Sequence, residues 1–116
     1  MDILQDIELK AMLVELSDML QAVYGSKLKS IILYGSVARG TATTESDVDI
    51  MVLIDGTDLE LREYEDRLGD VSTDVSMKYL KVLSIVDVSY QEYMDWQKIS
   101  PFYRNVSEEG VILYAA

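Results

Sequence analysis

The sequence predicts a single α/β (α+β) domain spanning residues 1–116, in which helices pack against a short mixed sheet. Its 116 residues are 49% hydrophobic and 27% charged, which is ordinary globular composition and enough for one modest core. Segments with helical periodicity alternate with short apolar runs, as in α/β layer architectures. The only proline is Pro101, and no repeat or low-complexity tract divides the chain.

The first half of the chain predicts one helix and two strands. Residues 2–24 carry leucines at helical spacing, and Gly25 is a natural end for that helix. The apolar run 30–34 predicts a buried strand, residues 35–46 a polar loop with room for one helical turn, and residues 48–54 a second buried strand. A loop of this length is short for a parallel crossover, so we expect the two strands to be antiparallel neighbours.

The second half predicts further helices and a third strand. Thr57 and Glu60 form a capping-box pattern that opens one long helix reaching Tyr79. Residues 81–88 predict the third strand. The remaining elements are a short helix with a second capping-box pattern at Ser89 and Glu92, a last helix opened by Ser100-Pro101 and ended by Gly110, and an apolar tail, residues 111–114, that pairs with the sheet or packs as coil.

Charge and composition exclude several classes of function. The chain has 21 acidic and 10 basic residues, and its net charge of −11 disfavours direct binding of nucleic acid. Cysteine and histidine are both absent, which excludes a disulfide, a zinc-thiolate site, a cysteine nucleophile and a histidine base. Residues 1–6 do not resemble a signal peptide, and no apolar run reaches membrane length. We therefore expect a cytoplasmic protein without a membrane segment.

Two carboxylates stand close together where the second strand is predicted to begin. Asp47 and Asp49 are two residues apart, so in a strand their side chains point to the same face. They repel each other unless a cation lies between them, and Mg²⁺ favours such a site because it takes hard oxygen ligands and keeps waters for phosphates. The alternative is a solvated acidic turn.

The end of the first predicted strand offers a second candidate feature. Gly35 and Ser36 supply backbone N–H groups and a hydroxyl, and such a loop can cradle a phosphate. The alternative is an ordinary glycine at a strand-to-turn junction. The segment 35–40 is not a Walker loop, because it lacks the terminal Gly-Lys-Ser/Thr.

The spacing of these two features resembles a known signature. Gly-Ser after an apolar strand, then ten residues, then Asp-x-Asp opening another apolar strand is similar to the DNA polymerase beta-like nucleotidyltransferases, and here it is LYGSVARGTATTESDVDIMVLI, residues 33–54. The flanking Ala38-Arg39-Gly40 and Ser46-Asp47 resemble the minimal nucleotidyltransferases, which are commonly paired with HEPN-domain partners in prokaryotic toxin–antitoxin modules. The segment 101–114 is also similar to that family.

The resemblance implies a role for each motif residue. Gly35 and Ser36 would hold the triphosphate of ATP, and Asp47 and Asp49 would bind Mg²⁺. A third carboxylate comes from a neighbouring strand in this family. Asp87 is our candidate, because it lies in an otherwise apolar strand where a carboxylate is costly unless partnered. The alternatives are that Asp87 points to solvent and that Asp74 is the third carboxylate.

Two further groups of residues remain open. Arg39 could neutralise phosphate or acceptor charge, or could form a structural ion pair with Glu45 or Asp47. The C-terminal third is rich in aromatic residues, most of which we expect in the core, and any exposed remainder would be a partner surface.

The sequence therefore supports three hypotheses about function. The first is a Mg²⁺-dependent nucleotidyltransferase that moves AMP from ATP to a protein hydroxyl, which the resemblance implies would be a tyrosine of a HEPN-type RNase toxin. The second is a non-catalytic acidic antitoxin that neutralises its toxin by binding, which the net charge of −11 favours. The third is a nucleotidyltransferase for a small-molecule hydroxyl, for which so short a chain leaves little pocket wall. Nucleotide preference and self-association stay open.

Overall fold

The computed structural model describes residues 6–43 and 45–116. Within these residues, helices and strands alternate as the hydrophobic pattern predicts. The strands are β1 (Leu28–Tyr34), β2 (Val48–Ile54), β3 (Leu83–Ser89) and β4 (Val111–Ala115). The helices are α1 (Ile7–Tyr24), α2 (Gly35–Arg39), α3 (Asp58–Arg62), α4 (Glu65–Tyr79), α5 (Tyr90–Trp96) and α6 (Pro101–Glu109).

The strands form one mixed sheet in the order β3-β2-β1-β4. The central strand β1 runs antiparallel to both β2 and β4, and β2 runs parallel to β3. The expected antiparallel pairing of the first two strands is therefore confirmed. The apolar C-terminal tail pairs with the sheet as β4, which decides between the two alternatives left by the sequence.

Helices cover both faces of this sheet, because side chains alternate between faces along each buried strand. On the first face, α1, α3 and α4 pack over alternate strand residues that include Ile31, Leu33 and Ile50. On the second face, α5 and α6 pack over Ile32 and Met51. None of the described helices is long and apolar enough to cross a membrane.

The first helix ends where the sequence predicts it. Asp6 caps α1 by accepting a 2.9 Å hydrogen bond from the Leu9 N–H, and Gly25 ends the helix with a φ of 57°. The predicted start at residue 2 falls outside the described residues. Strand β1 begins at Leu28, two residues before the predicted start.

The single long helix predicted after Thr57 is wrong. The capping box of Thr57 and Glu60 is present, but α3 ends at Arg62 and α4 begins at Glu65. The Glu63 and Tyr64 N–H groups donate to carbonyls only three residues back, at 3.2 and 3.1 Å, and this tightened turn interrupts the α-helical ladder. The Tyr64 ring then packs against Tyr24 of α1 at 4.8 Å between centroids, a tertiary contact that periodicity cannot reveal.

The third strand and the helix after it also differ in detail from the prediction. Strand β3 begins at Leu83 and not at residue 81, because Leu80 ends α4 with a φ of 54°. Ser89 caps α5 by accepting from the Glu92 N–H at 3.5 Å. The Glu92 carboxylate is used elsewhere, since it accepts a 2.8 Å hydrogen bond from the Tyr103 hydroxyl.

Candidate functional site

The end of β1 and the start of β2 bring Gly35 against Asp49. Tyr34 is the cross-strand partner of Asp49, so Gly35 is the next residue along from that pair. Gly35 has a φ of 76°, and a Cβ built on it would overlap the Asp49 carboxylate and lie 3.3 Å from its Cγ. Only glycine combines this conformation with such close approach. The predicted adjacency of the two motifs is therefore confirmed at the atomic level.

Helix α2 starts at Gly35 and turns its first N–H groups toward this corner. No side chain in the described part of the chain caps that end of the helix. The other end is fixed, because Gly40 ends the helix with a φ of 75° and the Ser36 carbonyl accepts a 3.0 Å hydrogen bond from the Thr41 N–H. Ser36 is half-buried beside the uncapped end. Backbone donors with a neighbouring hydroxyl suit the oxygens of a phosphate.

A short turn after α2 places the two carboxylates. The Thr43 N–H donates to the Ser46 hydroxyl at 2.9 Å, and the Ser46 N–H donates to the Thr43 carbonyl at 3.1 Å. The Val48 N–H then bonds the Val82 carbonyl at 2.9 Å, which fixes the start of β2. As a result Asp47 is exposed just before the strand, and Asp49 is half-buried within it.

The electrostatics of the pair favour a bound cation. Burial raises the pKa of Asp49, the Asp47 charge raises it further, and Arg39 partly offsets both effects. Two hard oxygen donors that repel each other fit Mg²⁺, which needs only one or two carboxylates when phosphates and water complete its shell. Among the described residues, no cluster of three or more carboxylate, histidine or cysteine side chains is placed to hold a metal.

Asp87 is not brought to this pair, which corrects the expectation of a third ligand there. Strand β3 pairs with β2 in a register that puts Ser84 opposite Asp49 and Asp87 opposite Val52. Because residues alternate between faces, Asp87 lies on the first face of the sheet, and Asp49 lies on the second face with Met51. The fallback residue, Asp74, is exposed on α4.

Arg39 forms a different ion pair from the two considered in the sequence. Its guanidinium lies 3.4 Å from the Glu109 carboxylate, and both side chains are about half exposed. The pair therefore links the C-terminal end of α2 to the C-terminal end of α6. Neither Glu45 nor Asp47 is its partner in the described structure.

Sequence reasoning missed Tyr34 as a member of the site. As the cross-strand partner of Asp49 it shares the second face with that carboxylate. Burial raises the pKa of Tyr34, and the Asp49 charge raises it further. Its ring meets Phe102 of α6 edge to face at 5.6 Å. The sequence did carry a signal for this position. Tyr34 directly precedes Gly35 at the end of β1, and the alternation of side chains along that strand places it on the same face as Ile32.

Comparison with known proteins identifies the family of this chain. The nucleotidyltransferase domain model matches residues 13–113. The chain belongs to this family. A presumed protein adenylyltransferase of Methanocaldococcus jannaschii is 36% identical over 103 residues, covering 86% of the chain and 92% of the relative. A second presumed protein adenylyltransferase of that organism is 44% identical over 59 residues, covering 45% of the chain and 59% of the relative.

Solved structures support the same fold. A double Asp→Glu mutant of the toxin–antitoxin MntA–HpeT is similar with a TM-score of 0.60 at 21% identity, covering 90% of this chain and 73% of that one. A toxin–antitoxin with AMP-PNP is similar with a TM-score of 0.56 at 21% identity, covering 92% and 73%. The expected polymerase beta-like nucleotidyltransferase fold, with its mixed sheet and packed helices, is thereby confirmed.

Proposed function

We propose that this nucleotidyltransferase transfers AMP from ATP to a tyrosine hydroxyl of a HEPN-type RNase toxin, with Mg²⁺ as cofactor. The observation that carries the proposal is the contact between Gly35, which opens the uncapped turn of α2, and the Asp49 carboxylate. This contact places the backbone N–H groups at the start of α2, which can bind phosphate oxygens, directly beside the two carboxylates of Asp47 and Asp49, which repel each other. Relatives named as presumed protein adenylyltransferases support the donor and the class of acceptor.

Each residue of the site has a defined task in this reaction. The backbone around Gly35 and the Ser36 hydroxyl would bind phosphate oxygens of ATP. Asp47 and Asp49 would hold Mg²⁺, which when bound neutralises charge on the phosphates. The acceptor oxygen attacks the α-phosphorus, a new O–P bond forms, and the bond from that phosphorus to the pyrophosphate oxygen breaks. The hydroxyl proton passes to solvent, and pyrophosphate leaves with the electron pair of the broken bond.

The exposure of the site supports a protein as the acceptor. Asp47 is exposed, and the flanking Arg39 and Glu109 side chains are about half exposed, so another protein can present a hydroxyl there. The net charge of −11 suits a basic partner. Likeness to solved structures described as toxin–antitoxin complexes supports a toxin as that partner.

The proposal is tested by weighing the partner. A purified HEPN-type partner is incubated with the chain, ATP and Mg²⁺, and its intact mass is measured. We expect an increase of one AMP, which disappears with Asp47→Asn and with Asp49→Asn. Asp87→Asn is the matched control, because it removes another half-buried strand carboxylate, from the other face of the sheet. Modification that persists after loss of Asp49 would contradict the proposal.

A second candidate function rests on the charge of the chain. With 21 acidic and 10 basic residues, the protein could neutralise a basic toxin by stoichiometric binding alone. The experiment that separates the two uses a double Asp47→Asn/Asp49→Asn variant and measures the RNase activity of the partner. Neutralisation that survives both changes, without added AMP mass, favours binding over catalysis.

A further inference from the structure

An aromatic residue of α6, Phe102, contacts Tyr34, which is the neighbour of Asp49 in the candidate site. Phe102 is 46% exposed although it is a large apolar side chain. Its ring packs edge to face on Tyr34, with centroids 5.6 Å apart and planes at 76°. Tyr34 is in turn the cross-strand partner of Asp49. Among the ring pairs in the described structure, Phe102 is the exposed aromatic residue that connects to the site in this way.

The neighbours of Phe102 hold it in place. The Tyr103 ring lies 5.7 Å from the Phe102 ring and 5.7 Å from the Tyr93 ring of α5. The Tyr103 hydroxyl donates to Glu92 at 2.8 Å, which fixes the helix at its N-terminal end. Val106 is 2% exposed and anchors the same helix in the core. The exposed Phe102 ring therefore lies on a helix that its neighbouring residues anchor to the rest of the domain.

The helical repeat places Asn105 on the flank that faces the site. Phe102, Asn105 and Glu109 follow each other at steps of three and four, so they lie along one side of α6. Phe102 contacts Tyr34 at the end of β1, and Glu109 pairs with Arg39 of α2. Asn105 lies between these two contacts and is exposed. Its amide has no hydrogen-bond partner in the described part of the chain.

We propose that Phe102 stacks on the nucleobase of the nucleotide substrate and that Asn105 hydrogen-bonds its edge. This inference rests on the proposed function, because it names the base-recognition residues of the same site. With phosphates at the start of α2, the ribose would carry the base toward the neighbouring flank of α6, where the partly exposed Phe102 ring contacts Tyr34, the residue next to Gly35. Aromatic side chains stack on bases of any sequence.

The amide of Asn105 gives the flank a preference for adenine. An amide carries both a donor and an acceptor, which match the amino group and ring nitrogen side by side on adenine. Guanine presents two acceptors at the corresponding edge, which match arginine or lysine instead. The proposal thus predicts a preference for ATP over GTP through Asn105.

The test measures nucleotide binding, not transfer. Calorimetry with Mg²⁺ compares AMP-PNP with inorganic triphosphate, which lacks a base. We expect Phe102→Leu to weaken AMP-PNP binding about 10-fold and to leave triphosphate binding unchanged. Phe102→Trp should stay within about 3-fold of the parent protein, because it restores a stacking face. Ile112→Ala is the control, since it removes another exposed apolar side chain, 65% exposed, from the edge strand β4.

A second arm tests Asn105. Asn105→Ala should reduce the preference for AMP-PNP over GMP-PNP about 5-fold or more, with triphosphate binding unaffected. An unchanged preference would remove Asn105 from the proposal. Unchanged AMP-PNP affinity in Phe102→Leu overturns the stacking role. If that variant also transfers less AMP to the partner, the ring contacts the acceptor protein and not the base.

The two proposals fail in different ways. Equal weakening of AMP-PNP and triphosphate in Phe102→Leu would show that the ring supports the fold of the site and would overturn the inference. No AMP-PNP binding by the parent protein would also overturn it. Specific loss of AMP-PNP binding in Phe102→Leu, together with failure to modify any protein, would support base recognition and contradict only the proposed acceptor.

Discussion

Asp49 and Asp87 are both half-buried carboxylates in apolar strands, yet they lie on opposite faces of the sheet. Burial raises the pKa of each. The charges around them differ. Asp49 meets Asp47 and the partly compensating Arg39, whereas Asp87 feels the negative charges of Glu65 and Asp58 and has only a hydrogen bond from its own backbone to lower its pKa.

The two half-buried carboxylates differ in their neighbours and not in their residue type. Asp49 touches Gly35 at the start of α2, where uncapped N–H groups can hold a phosphate next to a metal. Asp87 has no such neighbour and instead lies near the buried Tyr24. Both residue type and burial are matched between the two positions. The backbone donors beside Asp49 are the structural difference on which the proposed function rests.

The largest expected effect follows from replacing each aspartate in turn. Asp49→Asn should lower the rate of AMP transfer about 10³-fold, because it removes a charge that acts on the reacting phosphate through the cation. Asp87→Asn should change the rate less than about 3-fold, since that side chain lies on the other face. Single-turnover transfer to the partner measures both. Equal losses in the two variants would remove the distinction between the faces.

A second comparison uses two glycines with positive φ. Gly35→Ala and Gly25→Ala should each lower the free energy of unfolding by about 1–3 kcal/mol, because φ is 76° at Gly35 and 57° at Gly25. A Cβ at Gly35 meets the Asp49 carboxylate, whereas a Cβ at Gly25 meets nothing within 4 Å. We therefore expect transfer to fall about 100-fold only for Gly35→Ala. Urea unfolding measures the backbone strain in both variants. Transfer assays, at a temperature where both variants are folded, measure the effect of displacing the Asp49 carboxylate.

Much of the site could be predicted because it is local. The loop between β1 and β2 is too short for a parallel crossover, which forces the strands to be antiparallel neighbours and brings Gly35 to Asp49. The choice of Gly35, Ser36, Asp47 and Asp49 rests on the resemblance of their spacing to the nucleotidyltransferase signature. For the same reason the capping box at Thr57 and the helix end at Gly25 were predicted correctly.

The rest depends on packing between distant parts of the chain. Which face Asp87 takes is set by the register of β3 against β2, two strands that α3 and α4 separate in the sequence. The break before Glu65 likewise reflects the contact of Tyr64 with α1. The pairing of Arg39 with Glu109 needs α6 to lie against α2. None of these contacts has a signal in local periodicity.

A smaller effect is expected on the first face, at Tyr24. Its hydroxyl is buried without a hydrogen-bond partner among the described residues, and burial raises its pKa. Tyr24→Phe should raise the free energy of unfolding by about 1 kcal/mol, because it removes an unsatisfied polar group. Tyr79→Phe is the matched control and should lower it, since the Tyr79 hydroxyl donates to Glu15 at 2.6 Å. A loss of stability in both variants would mean that the Tyr24 hydroxyl is satisfied in solution.

The smallest expected effect concerns the stability cost of the site itself. The raised pKa of Asp49 means that its ionised form is less favourable in the folded than in the unfolded chain. In metal-free buffer at neutral pH, Asp49→Asn should therefore raise the free energy of unfolding by about 0.5 kcal/mol, a modest figure because solvent reaches the side chain. The gain should fade as the pH drops through the folded pKa toward the usual aspartate value, where the folded carboxyl becomes neutral. Thermal melts at several pH values measure this, and a gain that persists in acid would point to a packing effect instead. A gain confined to neutral pH would mean that the Asp49 carboxylate lowers the stability of the fold under the same conditions in which we propose that it acts in transfer.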